Sequence, residues 1–343
     1  MKTLIYKYII NDVMNNLDKI NAVKNRSLLY SNIRKFFNDK NYLEVETPTL
    51  SPTLIPESTI DNFSTQFVSD FFPSKELYMI PSPEVFMKQL LSEGYPSIYQ
   101  FSKCFRNSEQ LGKQHNIEFS MLEYYSNNMD EQDSIELTSE MLLKTHINNT
   151  PDWALPPFNK MSVNEAMKKY ANIDLDKCQR QIDLYEKAVE LNLSSVKRNE
   201  SWESTFNRIF LTYVEPNLPQ DKPLILYNYP QQIDCLATNQ KQSPYKKRWE
   251  MYIGGLEVAN CYDEMKDEEK IKEYYRKEFS TIVRERSSTN RVIPDIDDKY
   301  HEIFNSFPQS SGVAIGMDRL LMSQMNIDSI EGVILFPFSD MLL

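Results

Sequence analysis

Residues 105–125 read FRNSEQLGKQHNIEFSMLEYY. The last nine residues, Ile117 to Tyr125, alternate between apolar and polar side chains, which is typical of a half-buried strand. A period of two places four side chains on one face of this strand: Phe119, Met121, Glu123 and Tyr125. Phe119 and Glu123 would then lie about 13 Å apart, at roughly 6.6 Å per two residues.

This face of the strand could bind a nucleotide and an amino acid end to end. The flat ring of Phe119 can stack on a purine, and the carboxylate of Glu123 with the phenol of Tyr125 can hold an ammonium group. Arg106 lies at the end of the preceding strand, where its guanidinium could bind a phosphate. The alternative is an ordinary hairpin with a solvated, charged tip.

A second segment, Gly254 to Met265, reads GGLEVANCYDEM. Glu257 and Asn260 offer oxygen ligands of the kind that Mg²⁺ accepts, and a magnesium site needs only one or two protein groups beside phosphates. A regular strand would put these two residues on opposite faces, so the strand either bulges or ends before Asn260. By spacing alone, Glu264 is more simply the exposed start of an acidic helix.

A third segment, Ser310 to Met322, reads SSGVAIGMDRLLM. An apolar strand meets Gly316 and an apparent helix follows, so Arg319 lies in a first helical turn beside free backbone N–H groups. Anions bind well at such positions. The glycine pattern taken alone is weak, but with Arg106 it offers two phosphate-binding arginines.

Outside these segments the patterns alternate between helix and strand. Apolar residues at helical spacing predict a helix from Lys24 to Asn38, and a capping box predicts another from Ser162 to about Tyr170. Further helices are expected at 84–91, 132–145, 180–193, 202–214 and 265–285. Strands are expected at 42–46, 77–80, 97–105, 224–228, 250–260 and 312–315. Several consecutive strands have no helix between them, which indicates an α+β fold with a mostly antiparallel sheet flanked by helices.

Composition limits the classes of function. The 343 residues carry a formal net charge of -11 and a pI near 5.0, which argues against a broad nucleic-acid-binding surface. The four cysteines have no metal or redox spacing, so we expect free thiols in a reducing cytosol. Neither a signal peptide nor a membrane-spanning stretch is apparent, and a cytoplasmic protein without a membrane partner is expected.

The three segments resemble motifs 2 and 3 of the class II aminoacyl-tRNA synthetases, and KNYLEVETPTLSP at 40–52 resembles motif 1. The lysine branch is the most similar, with PSPEVFMKQL at 81–90 as a further match. The resemblance runs from about Lys24 to Phe338. It implies an N-terminal extension at 1–23 and a catalytic core at 24–343, without room for an anticodon-binding OB domain.

The short N-terminal part and Ala314 are similar to the stand-alone family that ligates (R)-β-lysine to elongation factor P. This resemblance implies an ATP-dependent ligase with Mg²⁺ that forms an aminoacyl-adenylate from (R)-β-lysine or lysine and transfers it to a lysine of that factor. It also implies a homodimer, through motif 1, and makes tRNA an improbable acceptor. The alternatives are a truncated lysyl-tRNA synthetase, another free-standing amino-acid activator, and a non-catalytic regulatory paralogue.

The same resemblance assigns roles residue by residue. The catalytic residues would be Arg106, Glu257 and Arg319, and Glu257 would also bind the metal. Contacts to ATP would come from Arg106, Asn107, Ser108, Asn116, Phe119, Glu257, Val258, Gly316 and Arg319. The amino-acid pocket would be lined by Ser82, Pro83, Glu84, Glu123, Tyr125, Asn260, Glu264 and Ala314.

Overall fold

The structure, a computed structural model, describes residues 2–108 and 112–342, with side chains described for 17–108 and 112–342. In chain order the strands are β1 (Leu43–Glu44), β2 (Leu50–Ser51), β3 (Ser64–Phe67), β4 (Lys75–Met79), β5 (Ile98–Phe105), β6 (Glu118–Asn127), β7 (Asn159–Ser162), β8 (Leu224–Pro230), β9 (Tyr245–Ile253), β10 (Leu256–Asp263) and β11 (Ser310–Gly316). The α-helices are α1 (Lys2–Asp39), α2 (Glu84–Ser92), α3 (Glu131–Thr145), α4 (Val163–Ala171), α5 (Gln181–Glu190), α6 (Trp202–Ile209), α7 (Glu268–Arg286), α8 (Met317–Met325) and α9 (Phe338–Met341).

One large sheet organises the described part of the chain. Its eight strands follow the order β1-β5-β6-β11-β10-β9-β8-β7. The five inner pairings are antiparallel, and only the two outermost, β1 with β5 and β7 with β8, are parallel. The predicted α+β fold with a mostly antiparallel sheet is therefore confirmed. A smaller sheet of β2, β4 and β3 lies beside it.

Helices cover one face of the large sheet with an apolar core. Leu122 and Tyr124 of β6 point to this face, where they pack with residues of α1 and α3 such as Phe37 and Met141. Helix α8 contributes Leu320 to the same core. Because alternate residues of a strand point to opposite faces, the intervening residues of β6 must point to the other side. That other side carries the polar groups described below.

Three helices form an insertion between the parallel neighbours β7 and β8. Helices α4, α5 and α6 have a core of their own, which packs on Leu224 and Leu226 of β8. The capping box at the start of α4 is confirmed, since the Ser162 hydroxyl accepts from the Glu165 amide and the Glu165 carboxylate accepts from the Ser162 amide. At the end of α6 the chain continues as a single π-helical turn over Phe210–Val214.

Three predictions of local structure need correction. Helix α1 begins at Lys2 rather than Lys24. The expected strand at 250–260 is two strands, β9 and β10, joined by a tight turn in which Gly254 and Gly255 have φ angles of 61° and 79°. Glycine adopts such angles without strain, which explains why the pair marks the turn. The expected strand at 42–46 is only β1, which pairs in parallel with β5.

Within 2–108 and 112–342, none of the helices combines the length and the apolar character needed to cross a membrane. All four cysteines are buried and free, as the sequence predicted.

Candidate active site

Four side chains form a row across the middle of the large sheet. Glu123 of β6 lies opposite Ala314 of β11, which in turn lies opposite Asn260 of β10. Asn260 lies opposite Glu250 of β9. Directly opposed residues of neighbouring strands point to the same face, so this row lies on the side of the sheet away from α1.

A β-bulge settles the alternative that the sequence left open for Glu257 and Asn260. Glu257 lies opposite Tyr252, whereas Ala259 lies opposite the adjacent Met251, so Val258 is the extra residue. The insertion of one residue reverses the alternation of side chains. Glu257 and Asn260 therefore share one face.

Three members of the row, Glu123, Ala314 and Asn260, line a cavity of about 90 Å³, called here the carboxylate pocket. Eight predicted site residues line it: Ser82, Glu84, Arg106, Glu123, Tyr125, Asn260, Glu264 and Ala314. The other lining residues, which include Glu57, Tyr262 and Gly312, were not among the predicted ones. The structure thus brings together the predicted amino-acid-binding residues except Pro83, which occupies the N-cap of α2.

Glu123 is a buried carboxyl group in this pocket with one oxygen free. Its side chain is only 3% exposed, and Oε1 accepts a hydrogen bond of 2.7 Å from the Tyr125 hydroxyl. Oε2 is buried without a partner. Burial, together with the nearby charge of Glu84, raises the pKa of Glu123 to about 8. A buried carboxylate with a free oxygen is a strong site for a cation.

The sequence analysis missed Lys88. This lysine of α2 is fully buried, and its Nζ lies 2.8 Å from Oε2 of Glu264 and also contacts Oε1 of Glu84. Burial by itself would lower the pKa of Lys88, but the charges of Glu264 and Glu84 raise it above its usual value. Glu264 is therefore a buried, ion-paired residue rather than the exposed start of a helix. The available signal was a lysine four residues after Glu84 in the otherwise apolar run EVFMKQLL.

Gly312 leaves the space in which Glu264 and Tyr125 approach the sheet. A Cβ at this position would come within 2.6 Å of Cε1 of Tyr125 and would also collide with Oε1 of Glu264. Carbon atoms pack at about 3.5–4.0 Å, so only glycine fits here without rearrangement.

On the same face of the sheet, three arginines lie near Glu257: Arg106, Arg248 and Arg319. The guanidinium of Arg106 lies over the ring of Phe119, 5.3 Å from its centre. Arg319 donates from Nη1 to the backbone carbonyl of Glu257 at 2.9 Å. Burial raises the pKa of Glu257 to about 7 and Glu250 adds to the effect, whereas the arginines, including Arg248, oppose it.

Two carboxylates could hold a divalent cation at this end. Glu250 is bound by the hydroxyls of Tyr229 and Tyr252, at 2.5 and 2.9 Å, and by Arg248 at 2.6 Å. Glu257, on the same face, carries no such set of side-chain partners. No cluster of three or more metal-binding side chains was found among the described residues. The donors fit Mg²⁺, which commonly uses one or two carboxylates and takes its other ligands from phosphates and water.

Other predicted nucleotide contacts are more scattered. Asn107 pairs with Asp61 through its backbone, and Ser108 follows with a φ of 57° beside residues that the structure does not describe. Gly316 caps α8, and Val258 is the buried bulge residue.

Asn116 lies apart from the row. Its Nδ2 donates to the carbonyl of Glu118 at 2.6 Å, and its Oδ1 accepts from the amide of Phe338 at 3.0 Å. It lines a larger cavity, about 1010 Å³, between α1 and the opposite face of the sheet. The side chain of Asn116 therefore lines this cavity rather than the carboxylate pocket, although the Arg106 amide donates to the carbonyl of the adjacent Ile117.

A third cavity adjoins the carboxylate pocket. It measures about 210 Å³ and shares Glu57, Glu84 and Tyr262 with the pocket. Glu203 of α6, Asp234, and Glu278 of α7 add three more carboxylates to its wall. The three-helix insertion thus supplies part of the surface that leads to the site.

Comparison with known proteins connects this geometry to a family. Residues 1–340 match the family model described as tRNA synthetases class II (D, K and N). A protein of Hamiltonella defensa is 33% identical over 326 residues, covering 93% of this chain and 95% of the relative. A protein of Buchnera aphidicola from Schizaphis graminum is 35% identical with 93% and 96% coverage, and one of Yersinia enterocolitica is 33% identical with 91% and 93% coverage. All three relatives are named elongation factor P (R)-β-lysine ligase.

The family match covers nearly the whole chain. On these grounds the chain belongs to the class II tRNA synthetases of the D, K and N group.

Proposed function

We propose that this protein is an ATP-dependent ligase that activates (R)-β-lysine, or lysine, and transfers it to a lysine side chain of elongation factor P. The observation that carries the proposal is the likeness, at 32–35% identity over at least 91% of the chain, to relatives that bear this name. The carboxylate pocket supports it, since an amino acid with a second ammonium group requires acidic partners.

The first step joins the amino acid to AMP. Arg106 holds the α-phosphate, and a carboxylate oxygen of the amino acid attacks the α-phosphorus. The bond from this phosphorus to the bridging oxygen breaks, and pyrophosphate leaves. The ring of Phe119 stacks on the adenine, and Arg319 binds the terminal phosphates. Fixed positive charge around the phosphates is the usual source of rate in such reactions.

The second step releases AMP. The neutral amine of the acceptor lysine attacks the carbonyl carbon of the mixed anhydride, an amide bond forms as the nitrogen releases one proton to water, and AMP departs with the anhydride oxygen. No general base is assigned to this step. The acidic wall shared by Glu57, Glu203 and Glu278 suits the approach of a lysine side chain.

Glu257, with Glu250 beside it, would hold Mg²⁺. The metal would add positive charge at the phosphates.

We also propose that two copies associate through the face opposite the site. The cavity of about 1010 Å³ on that face is lined by apolar side chains of α1, the sheet and the C-terminal segment, among them Tyr30, Phe101 and Phe336. Phe336 is 76% exposed in the single chain. Light scattering on the purified protein tests this, and a monomer at micromolar concentration would contradict it.

One pair of measurements tests the proposed function. ATP–pyrophosphate exchange is compared with (R)-β-lysine, α-lysine and no amino acid, and transfer to elongation factor P is then followed by intact-protein mass spectrometry. Preference for β-lysine with a single mass addition on the factor supports the proposal. Preference for α-lysine together with tRNA charging would favour a truncated lysyl-tRNA synthetase, and absence of exchange would favour a non-catalytic paralogue.

A further inference from the structure

The buried lysine Lys88 takes no part in the reaction steps above, yet it contacts two of the pocket's carboxylates. It lies on α2 beneath the pocket, whereas its partner Glu264 lies just beyond the end of β10. Its other partner, Glu84, begins the same helix. One cation thereby connects two separate elements of the fold.

Each carboxylate uses a single oxygen for Lys88. Glu84 contributes Oε1 and Glu264 contributes Oε2. The other oxygen of Glu264, Oε1, faces the space left by Gly312 inside the pocket. Lys88 therefore fixes the direction of both side chains while an oxygen of Glu264 remains open to a bound molecule.

The charges around the pocket can be counted. Four carboxylates line it: those of Glu57, Glu84, Glu123 and Glu264. Two cations oppose them, Arg106 in the lining and Lys88 behind it. Bound ammonium groups favour the ionised form of these carboxylates. With all four ionised, the net charge is minus two, and without Lys88 it would be minus three.

We propose that Lys88 is a positioning residue that limits the charge of the carboxylate pocket to minus two, so that the pocket selects an amino acid with two ammonium groups. This inference deepens the proposed function and rests on it. A monoamino acid would leave one buried carboxylate without a counter-charge, which is costly.

Two observations favour this role over a purely structural one. A buried ion pair contributes little net stability, and apolar residues often replace such pairs without loss. Moreover, the pKa values of Glu57, Glu123 and Glu264 are all raised, each first by burial and next or later by neighbouring carboxylates. In the ligand-free pocket, Lys88 and Arg106 together therefore do not neutralise all of the carboxylates.

The test compares ligands that differ only in their amino groups. Binding of 3,6-diaminohexanoate, 3-aminohexanoate and 6-aminohexanoate is measured by calorimetry on the wild type, Glu264→Gln and the double variant Lys88→Met/Glu264→Gln. The double variant is used because Lys88→Met alone leaves a buried carboxylate unpaired and risks misfolding. Lys144→Met is the control, since Lys144 forms the same i,i+4 pair with Glu140 on an exposed helical surface.

The wild type and the control should bind the diamino ligand at least about 10- to 100-fold more tightly than either monoamino ligand, as expected for one extra charged hydrogen bond. Glu264→Gln leaves a net charge of minus one, so its preference should fall below about threefold. The double variant restores minus two and should recover at least about tenfold of that preference. Lys88→Met would then compensate for the loss of selectivity that Glu264→Gln causes.

A double variant no more selective than Glu264→Gln would overturn the inference, and so would a wild type that does not prefer the diamino ligand. A structural role alone would weaken all three ligands equally and lower the melting temperature without changing the preference. Failure of the proposed function is a separate result: binding selectivity and its rescue would stand while no amino acid is transferred to elongation factor P.

Discussion

Replacing Gly312 by alanine should damage amino-acid binding more than it damages folding. The new Cβ would lie 2.6 Å from Cε1 of Tyr125, so one of the two groups must move by roughly 0.9 Å to reach an ordinary contact distance. Tyr125 is 2% exposed and its hydroxyl is bound to Glu123, which restricts the movement. Overpacking of this kind costs about 1–3 kcal/mol of folding stability. Where Tyr125 shifts within the pocket to relieve the contact, the same free energy is lost from amino-acid binding, which corresponds to about 5- to 150-fold in affinity.

The assay is ATP–pyrophosphate exchange at varied amino-acid concentration, with the melting temperature measured in parallel. KM for (R)-β-lysine should rise by that factor, whereas KM for ATP should change less than about twofold. Gly332→Ala is the matched control, because its Cβ would lie 2.7 Å from Cγ2 of Ile327, outside the pocket. It should lower the melting temperature and leave KM unchanged. A folded Gly312→Ala variant with normal KM would refute the reasoning.

Three further predictions concern charge. The pKa of Glu123 in the folded protein is about 8, so the folded protein keeps a proton that the unfolded chain loses above about pH 4.5. The stability that this proton contributes to the wild type is lost as pH rises through 8. The melting temperature of Glu123→Gln relative to wild type should therefore rise between pH 6 and 9, and a constant difference would contradict the assignment. Glu257→Gln should raise the Mg²⁺ concentration for half-maximal exchange by about tenfold or more, as read from a magnesium titration, while an unchanged midpoint would remove Glu257 from the metal site. Asp318 accepts hydrogen bonds from the Arg26 guanidinium at 2.5 Å and from the Ser120 amide at 2.8 Å. Asp318→Ala removes both and should lower the free energy of unfolding by about 2–3 kcal/mol, as measured by urea titration. A loss under about 0.5 kcal/mol would count against this prediction.

The sequence could predict the row on the sheet because the row depends on periodicity within single strands. The alternation from Ile117 to Tyr125 places Glu123 and Tyr125 on one face, and the structure agrees. Which partner strands complete the row depends on long-range register, which alternation within one segment does not contain. Glu250 was missed for this reason, since only its pairing with Asn260 brings it to the site.

Buried charge was harder to predict than the sheet. Lys88 and Glu264 lie 176 positions apart in the sequence, and nothing local indicates that they meet. Glu264 taken alone has the appearance of a helix start, and Lys88 that of a surface residue on an amphipathic helix. Asn116 is the reverse case: the family resemblance implied a nucleotide contact, but the hydrogen bonds of its side chain hold it at the cavity on the α1 side of the sheet. Its role in nucleotide binding stays a prediction.

The insertion between β7 and β8 has a consequence for how this fold can vary. The chain leaves the large sheet at Ser162 and returns at Leu224 on the neighbouring strand, so the strand register is set by residues on either side of the excursion. The helices between these two points pack on β8 and on Tyr252 of β9, whereas β6, β10 and β11 contribute no residue to their core. Glu203, in the middle of this segment, lines the acidic cavity next to the pocket. The architecture thus places the sheet residues of the pocket and the acidic side wall on separate segments of the chain, so a change in the insertion alters the wall without altering the sequence of β6, β10 or β11.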